Sequence, residues 1–272
     1  DQVEFVDQQV GKFFNYLKKE GLDQNTIVIF IGDNGRCNVR GKGYLFEPGI
    51  NIPLLIYNPF NEGNKIINDL VTVTDLTATI LDYAGIDKPE YMTGKSFLKD
   101  DFKRKYVYAA RDQWDEIMDK SRAIVTKKWK YIRNYKPEIP YDAGQAYLEF
   151  YRPAVHIMRT AKSKNLLTNA QLHFFKESKD LEELYDLEND PHEINNLALD
   201  PSFQNVMNKF RIDMEEYNKR YRPMSDEYEP IIAESVVILE WVKKNRPEEY
   251  KRMLDGYEIG FSKSKDEYYK NN

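Results

Sequence analysis

The residues of this chain whose types and spacing can do chemistry lie near its start, in TIVIFIGDNGRCNVRGKGYLFEPGINIPLLIYNP, Thr26 to Pro59. A β-branched and aromatic run stops at Gly32-Asp33-Asn34-Gly35, and nine residues after Asp33 a lone lysine stands between glycines, Gly41-Lys42-Gly43. The carboxylate of Asp33 and the amide carbonyl of Asn34 are hard oxygen donors, suited to Ca²⁺ or Mg²⁺ and not to a thiophilic metal. The blander local reading is a turn, because Asn-Gly is a common turn dipeptide. Lys42 is open in the same way. It is a solvated surface charge, or a point charge on a backbone slim enough to approach a tetrahedral anion. Arg36 and Arg40 either add to that positive field or are plain surface residues. A cation site with an anion-binding lysine would be half of an ester-hydrolysing centre. Cys37 has no neighbouring histidine base and reads as a spectator.

Regular elements must position these residues. Val6, Val10, Phe13, Phe14 and Leu17 recur at helical spacing, with Gly21 as the C-cap. Ile27 to Ile31 is a continuous apolar run of the kind buried on both faces of a parallel sheet. Pro53-Leu54-Leu55-Ile56-Tyr57 reads as a second buried strand, and the intervening loop of roughly twenty residues is long enough to be functional. Thr74-Asp75-Leu76 opens an amphipathic helix that ends at Gly85. This order is that of an open α/β sheet with ligands at the carboxyl ends of its strands.

Beyond residue 100 the texture changes. Lys105 to Ala109 is strand-like, Ala123–Thr126 and Trp129–Ile132 flank Lys127-Lys128 as a hairpin, and Leu184 to Leu187 is a further strand. Asp190-Pro191-His192-Glu193 carries the signs of a helix start, with Asp as N-cap, Pro at N1 and Glu at N3. Charged helical segments follow, and Ser262 to Asn272 reads as a polar tail.

Composition removes several classes. The 272 residues carry 40 basic and 45 acidic side chains, a formal net charge of −5, which argues against nucleic acid as the main partner. No apolar run approaches the roughly 18–20 residues that cross a bilayer. The single cysteine excludes an internal disulfide and a cysteine-rich zinc site. All three histidines (His156, His173, His192) lie in the second half and read as surface, packing or helix-start residues. The 20 tyrosines and three tryptophans suit sugar-stacking surfaces but suit ordinary cores better. With no initiator Met and an opening inside a helix, the chain is expected to be part of a longer protein.

The ordered series is more specific than any one motif. Asp7-x-x-Val10-Gly11, Asp33-Asn34-Gly35, Gly41-Lys42-Gly43 and Tyr44-x-x-Glu47-x-Gly49-Ile50-x-x-Pro53-Leu54 resemble the sulfatase family. Thr74-Asp75-Leu76, Thr79-Ile80-Leu81, Ala84-Gly85-Ile86 and Gly94-Lys95-Ser96 continue that resemblance. Leu184-Tyr185-Asp186-Leu187, Asp190-Pro191-His192-Glu193 and Asn196-Leu197-Ala198 match the family's C-terminal subdomain, most like its sulfamidase and heparan-type glycosaminoglycan branch. The resemblance covers about the first 220 residues and leaves Tyr221 to Asn272 unaccounted for.

It implies an α/β, alkaline-phosphatase-like fold: residues 1–100 as the C-terminal part of the catalytic domain's mixed sheet, 101–222 as an antiparallel-sheet subdomain, and 223–272 as a helical, charged extension. It further implies bound Ca²⁺ (or Mg²⁺) with Asp33 and Asn34 as two ligands, Lys42 on the sulfate, and a formylglycine nucleophile encoded upstream. Cys37 is followed by Asn38, Val39 and Arg40 and so departs from the C/S-x-P-x-R setting in which formylglycine is made. The substrate expected is a sulfated carbohydrate such as a glycosaminoglycan, in the periplasm or outside the cell, with the isolated chain inactive.

Arg111, Asp112 and Asp115 follow a strand end and are candidates for substrate recognition, against the alternative of a surface salt-bridge cluster. Alternative readings are S–N cleavage of N-sulfoglucosamine, a phosphodiesterase or phosphatase of the same superfamily, and a non-catalytic binding scaffold. Sheet edges left unpaired would invite oligomerisation.

Overall fold

The computed structural model describes residues 2–60, 64–99, 101–152, 154–220, 232–257 and 267–271. Two compact units result, residues 1–34 with 51–68, and residues 35–50 with 69–272.

In the first unit, α1 (Gln2–Lys19) ends at Gly21, whose φ of +67° supplies the left-handed turn. The two strands β1 (Val28–Ile31) and β2 (Leu54–Tyr57) run antiparallel, Val28 opposite Tyr57 and Ile31 opposite Leu54. Phe14 of α1 meets the Tyr57 ring edge-on at 5.2 Å. The expectation of parallel strands buried on both faces is therefore corrected. An apolar run reports that side chains seek burial, not which way the neighbouring strand runs. In this two-stranded ribbon Phe30, Leu55 and Tyr57 stay exposed.

The second unit holds one turn of helix, α2 (Glu47–Ile50), and then α3 (Val73–Tyr83). Asp75 at N3 of α3 reaches back to the Thr72 N–H at 2.9 Å, as a capping box requires. Its buried carboxylate also accepts from the Lys95 N–H at 2.8 Å and from the Arg104 guanidinium. One side chain thus starts the helix and ties down the segment that follows it.

Four strands then build an antiparallel sheet in sequence order: β3 (Val107–Trp114), β4 (Ile117–Val125), β5 (Trp129–Asn134) and β6 (Glu182–Asp186). The expected hairpin at Lys127-Lys128 joins β4 to β5, with Val125 opposite Lys130. Alternation decides the two faces. Ala123, Ile132 and Tyr185 pack on one side beneath Tyr44, Leu45 and Phe46. Ile124, Tyr131 and Leu184 pack on the other against Met207, Phe210 and Met214 of α7 (Gln204–Arg220). Burying each of the larger apolar side chains contributes roughly 2–3 kcal/mol, so a one-residue slip, which exchanges the faces, is strongly disfavoured.

Between β5 and β6 lie α4 (Ala146–Tyr151), α5 (Ala154–Ser163) and the short α6 (Asn169–Leu172). After α7 come α8 (Glu234–Asn245) and α9 (Pro247–Leu254), whose Ile238, Leu239, Val242 and Met253 bury Ala146 and Phe150 of α4. The expected polar tail lies partly outside the described residues. Residues 267–271 are helical and reach α8, Tyr268 against Trp241 and the Tyr269 hydroxyl to Glu234 at 2.6 Å.

Asp190-Pro191-His192-Glu193 does not start a helix. The Asp190 carboxylate accepts from the N–H groups of Ile194 and Asn195, both at 2.8 Å, closing a compact turn. Glu193 adopts φ +54° and turns inward, because its carboxylate has a stronger partner than a helix N-terminus.

Candidate functional site

Asp33 and Asn34 lie in the first unit, directly after β1. The Gly32 N–H still bonds the Pro53 carbonyl at 3.1 Å, so the two side chains begin where the ladder stops. Asp33 is exposed, and its Oδ1 accepts the Asn34 N–H at 2.9 Å. A carboxylate and an amide oxygen on adjacent residues fit a hard cation. Two residues are fewer donors than Ca²⁺ takes, and no group of three or more His, Cys, Asp or Glu able to hold a metal occurs among the described residues.

Lys42 belongs to the second unit, on a loop whose fold is dictated by its neighbours. Tyr44, Leu45 and Phe46 insert into the core over the sheet, and the Tyr44 hydroxyl donates to the Tyr141 carbonyl at 2.8 Å. The Arg36 carbonyl accepts from the N–H groups of Asn38 and Lys42 at 2.8 and 2.9 Å. A Cβ on Gly41 would sit 2.0 Å from that carbonyl, and one on Gly43, at φ +85°, would sit 2.2 Å from the Trp114 ring. The two glycines therefore serve the loop's own close packing. Lys42 is half-buried, its Nζ 4.8 Å from the centre of the Tyr147 ring, and it forms no ion pair among the described residues. A cation held by a π-face and by no carboxylate keeps its charge available for an anion.

A buried ionic clamp secures the far side of this loop. Lys130 of β5, fully buried, lies 2.7 Å from both Glu47 Oε1 and Glu193 Oε1. The other oxygen of Glu193 accepts the Glu47 N–H at 2.6 Å. Burial pushes the Glu193 carboxyl above the usual carboxylate range, against the pull of Lys130. Arg40, in a left-handed conformation, stacks 4.0 Å from the Phe46 ring and donates to the carbonyls of His192 and Glu193. Sequence reasoning missed this group. The signal was present in the pattern: Lys130 stands at the inward position two residues before Ile132, where the alternation calls for an apolar side chain.

Arg111 and Asp112 do not follow a strand end as expected: β3 runs on to Trp114 and holds both, with Asp115 in the turn after it, each with a partner inside the unit. Arg111 is buried, 3.4 Å from Asp119 and flanked by the rings of Tyr44 and Trp114. Asp119 in turn holds buried Lys179, whose ammonium burial pulls below its ordinary pKa. Asp112 accepts from Arg122 at 2.6 Å, and Asp115, at φ +50° in the β3–β4 turn, accepts from Gln145 at 2.7 Å.

His156 is buried and its Nε2 donates to the Glu149 carbonyl at 3.2 Å, while His192 is exposed on the 190–193 turn. His173 packs between Phe46 and Tyr141, with the buried Glu183 carboxylate 3.8 Å away. Burial first, then the Arg40 charge, lowers its pKa from 6.5 to about 4. The folded state thus disfavours a proton that the unfolded chain accepts, so stability falls as pH drops from 6.5 towards 4. His173→Phe is expected to remove that part of the acid loss, read as a flatter dependence of the urea midpoint on pH across this window.

Residues 1–86 match the family description "Sulfatase", and residues 138–220 match "N-sulphoglucosamine sulphohydrolase, C-terminal". An ulvan-active sulfatase of Formosa agariphila is 34 % identical over 78 % of this chain and 36 % of its own length. Human N-sulphoglucosamine sulphohydrolase is 28 % identical over 76 % of this chain and 44 % of its own. The chain thus spans less than half the length of these relatives. A solved structure of a protein in complex with its substrate D-glucosamine-2-N,6-O-disulfate superposes with a TM-score of 0.54 at 22 % identity, covering 84 % of this chain and 41 % of that one. With the "Sulfatase" match followed by the C-terminal match along one polypeptide, the chain belongs to the sulfatase family of the alkaline-phosphatase-like superfamily and corresponds to its C-terminal portion.

Proposed function

We propose that the protein carrying this chain hydrolyses sulfate esters of a sulfated carbohydrate, with this chain supplying part of the centre. The observation that carries the reading is the order of matches, Asp33-Asn34-Gly35 and Gly41-Lys42-Gly43 within the first and the glucosamine-type subdomain as the second. Formylglycine, expected upstream of this chain, would supply a nucleophilic hydroxyl, and Ca²⁺, when bound, would supply Lewis-acid polarisation of the sulfate. Asp33 and Asn34 give two hard oxygens to that cation. Lys42 places a positive charge against the sulfate oxygens, where negative charge builds as the S–O bond breaks. Arg111, Asp112 and Asp115 are assigned to the sugar side of this reading, each held in place by its own partner, Asp119, Arg122 and Gln145 respectively. A periplasmic or extracellular setting and a sulfated glycan partner belong to the same proposal. Among the described residues no helix is long and apolar enough to cross a membrane.

The test is an aldehyde-reactive probe with intact mass on the protein from its native source, followed by sulfate release from a sulfated disaccharide. A polypeptide containing this sequence, aldehyde-positive and releasing sulfate, is the expected result. A native protein with no aldehyde and no sulfate release overturns it and leaves a sulfatase-derived binding scaffold.

A further inference from the structure

A helix of the C-terminal match reaches across the second unit to the Lys42 loop. Tyr147 of α4 lays its ring 4.8 Å from Lys42 Nζ. Lysine is a compact charge on a long flexible stem, so an unsupported ammonium samples many positions. An aromatic face within about 6 Å attracts the ammonium without neutralising it, as a carboxylate would.

The ring itself is held from three directions. Tyr151, on the next turn of α4, lies 4.6 Å from it at an interplanar angle of 31°, and Trp114 of β3 lies 6.1 Å away at 51°. The Tyr147 hydroxyl donates to Cys37 Sγ at 3.4 Å. Burial first, then the Cys37 sulfur, pushes that phenol up to about 12, so it stays protonated and keeps donating at neutral pH.

The helix is fastened at both ends. At its start the Ala146 N–H donates to Glu116 Oε1 at 2.6 Å, and the Gln145 side chain donates to Asp115 while accepting from the Leu148 N–H at 2.9 Å. At its end Arg152 places Nε on the Cys37 carbonyl at 2.6 Å and Nη1 on the Tyr151 carbonyl at 2.7 Å. Tyr147 and Arg152 thus grip Cys37 by its sulfur and by its carbonyl. The residue before it, Arg36, accepts the Lys42 N–H at 2.9 Å, which carries the grip to the main chain of Lys42.

We infer that Tyr147 is a positioning residue for Lys42, its ring holding the ammonium where negative charge builds on the sulfate. The inference rests on the sulfatase reading above, in which Lys42 faces the sulfate.

The test is made in the enzyme that carries this chain, on a sulfated disaccharide. Tyr147→Leu is expected to lower kcat about tenfold with KM within about twofold, the pattern of an interaction made in the transition state. Tyr147→Phe should recover most of that loss. The same substitution with phenylalanines bearing one, two and three ring fluorines keeps the shape while weakening the π-face, and kcat should fall stepwise along the series. In the Lys42→Ala background the Tyr147→Leu step should cost less than about twofold, because residues that act through one another are not additive. A readout independent of turnover is the Hε resonance of ¹³C-labelled Lys42. The ring should shift it upfield in the wild type and in Tyr147→Phe, and Tyr147→Leu should return it to its random-coil position. If Tyr147→Leu lowers the thermal midpoint sharply, the fluorinated series decides. A flat series, a tenfold loss that persists in Lys42→Ala, or a random-coil Lys42 resonance in the wild type overturns the inference and spares the sulfatase reading. Unchanged turnover in Lys42→Ala removes Lys42 from the chemistry and overturns both.

Discussion

Lys42→Ala, made in the enzyme that carries this chain, is expected to lower turnover about 10²–10³-fold, the cost of removing one well-placed charge from a developing anion. The fold should hardly notice. Lys42 is half-buried, its ammonium rests on the Tyr147 ring, and the loop is fixed by Tyr44, Phe46 and the Arg36 carbonyl instead. Lys42→Arg should recover only part of the loss, since a planar fork does not replace a compact point charge. The measurement is turnover at saturating substrate beside the thermal midpoint. Unchanged turnover removes Lys42 from the site, and a collapsed midpoint would mean that the residue is structural.

The second large effect concerns stability. Lys130→Met should destabilise the second unit by about 3–5 kcal/mol, because Glu193 is left buried without its cation. Burial already raises the Glu193 carboxyl, so in the variant it can escape by taking a proton. The loss should therefore be larger at alkaline than at mildly acidic pH. Lys130→Met/Glu193→Gln should lose less than the sum of the single variants, as coupled residues do. Urea unfolding at two pH values decides it. A pH-independent loss, or strict additivity, would show that the pair carries no mutual stabilisation.

The antiparallel sheet was legible because its signal is local. Lys127-Lys128 between two apolar runs reads as a hairpin, and Leu184-Tyr185 alternates as a strand with two buried faces does. The start of α3 was legible too, as Thr74-Asp75-Leu76 opening a helix, but the capping contact of Asp75 was not. What failed depended on partners far along the chain. Asp190-Pro191-His192-Glu193 has every local mark of a helix start, yet Glu193 is captured by Lys130 and by the Glu47 N–H. The Ile27–Ile31 run gives its apolar character but not the direction of β2. Gly41 and Gly43 were legible as demands for space, but the sequence does not reveal that the space is filled by the Arg36 carbonyl and Trp114. Asp33, Asn34 and Lys42 were picked out by residue type and family order alone.

The supports of the Lys42 loop have a consequence for engineering. Trp114, Tyr141, Lys130 and Glu193 come from segments 70 to 150 residues downstream, Trp114 pressing on Gly43, Tyr141 on Tyr44, and Lys130 and Glu193 both on Glu47. The loop is therefore not a portable cassette. Grafted onto a relative without those four side chains, its ten or so residues would lose their shape before they lost their sequence, whereas a chimera joined upstream of Gly35 would carry the whole cradle along.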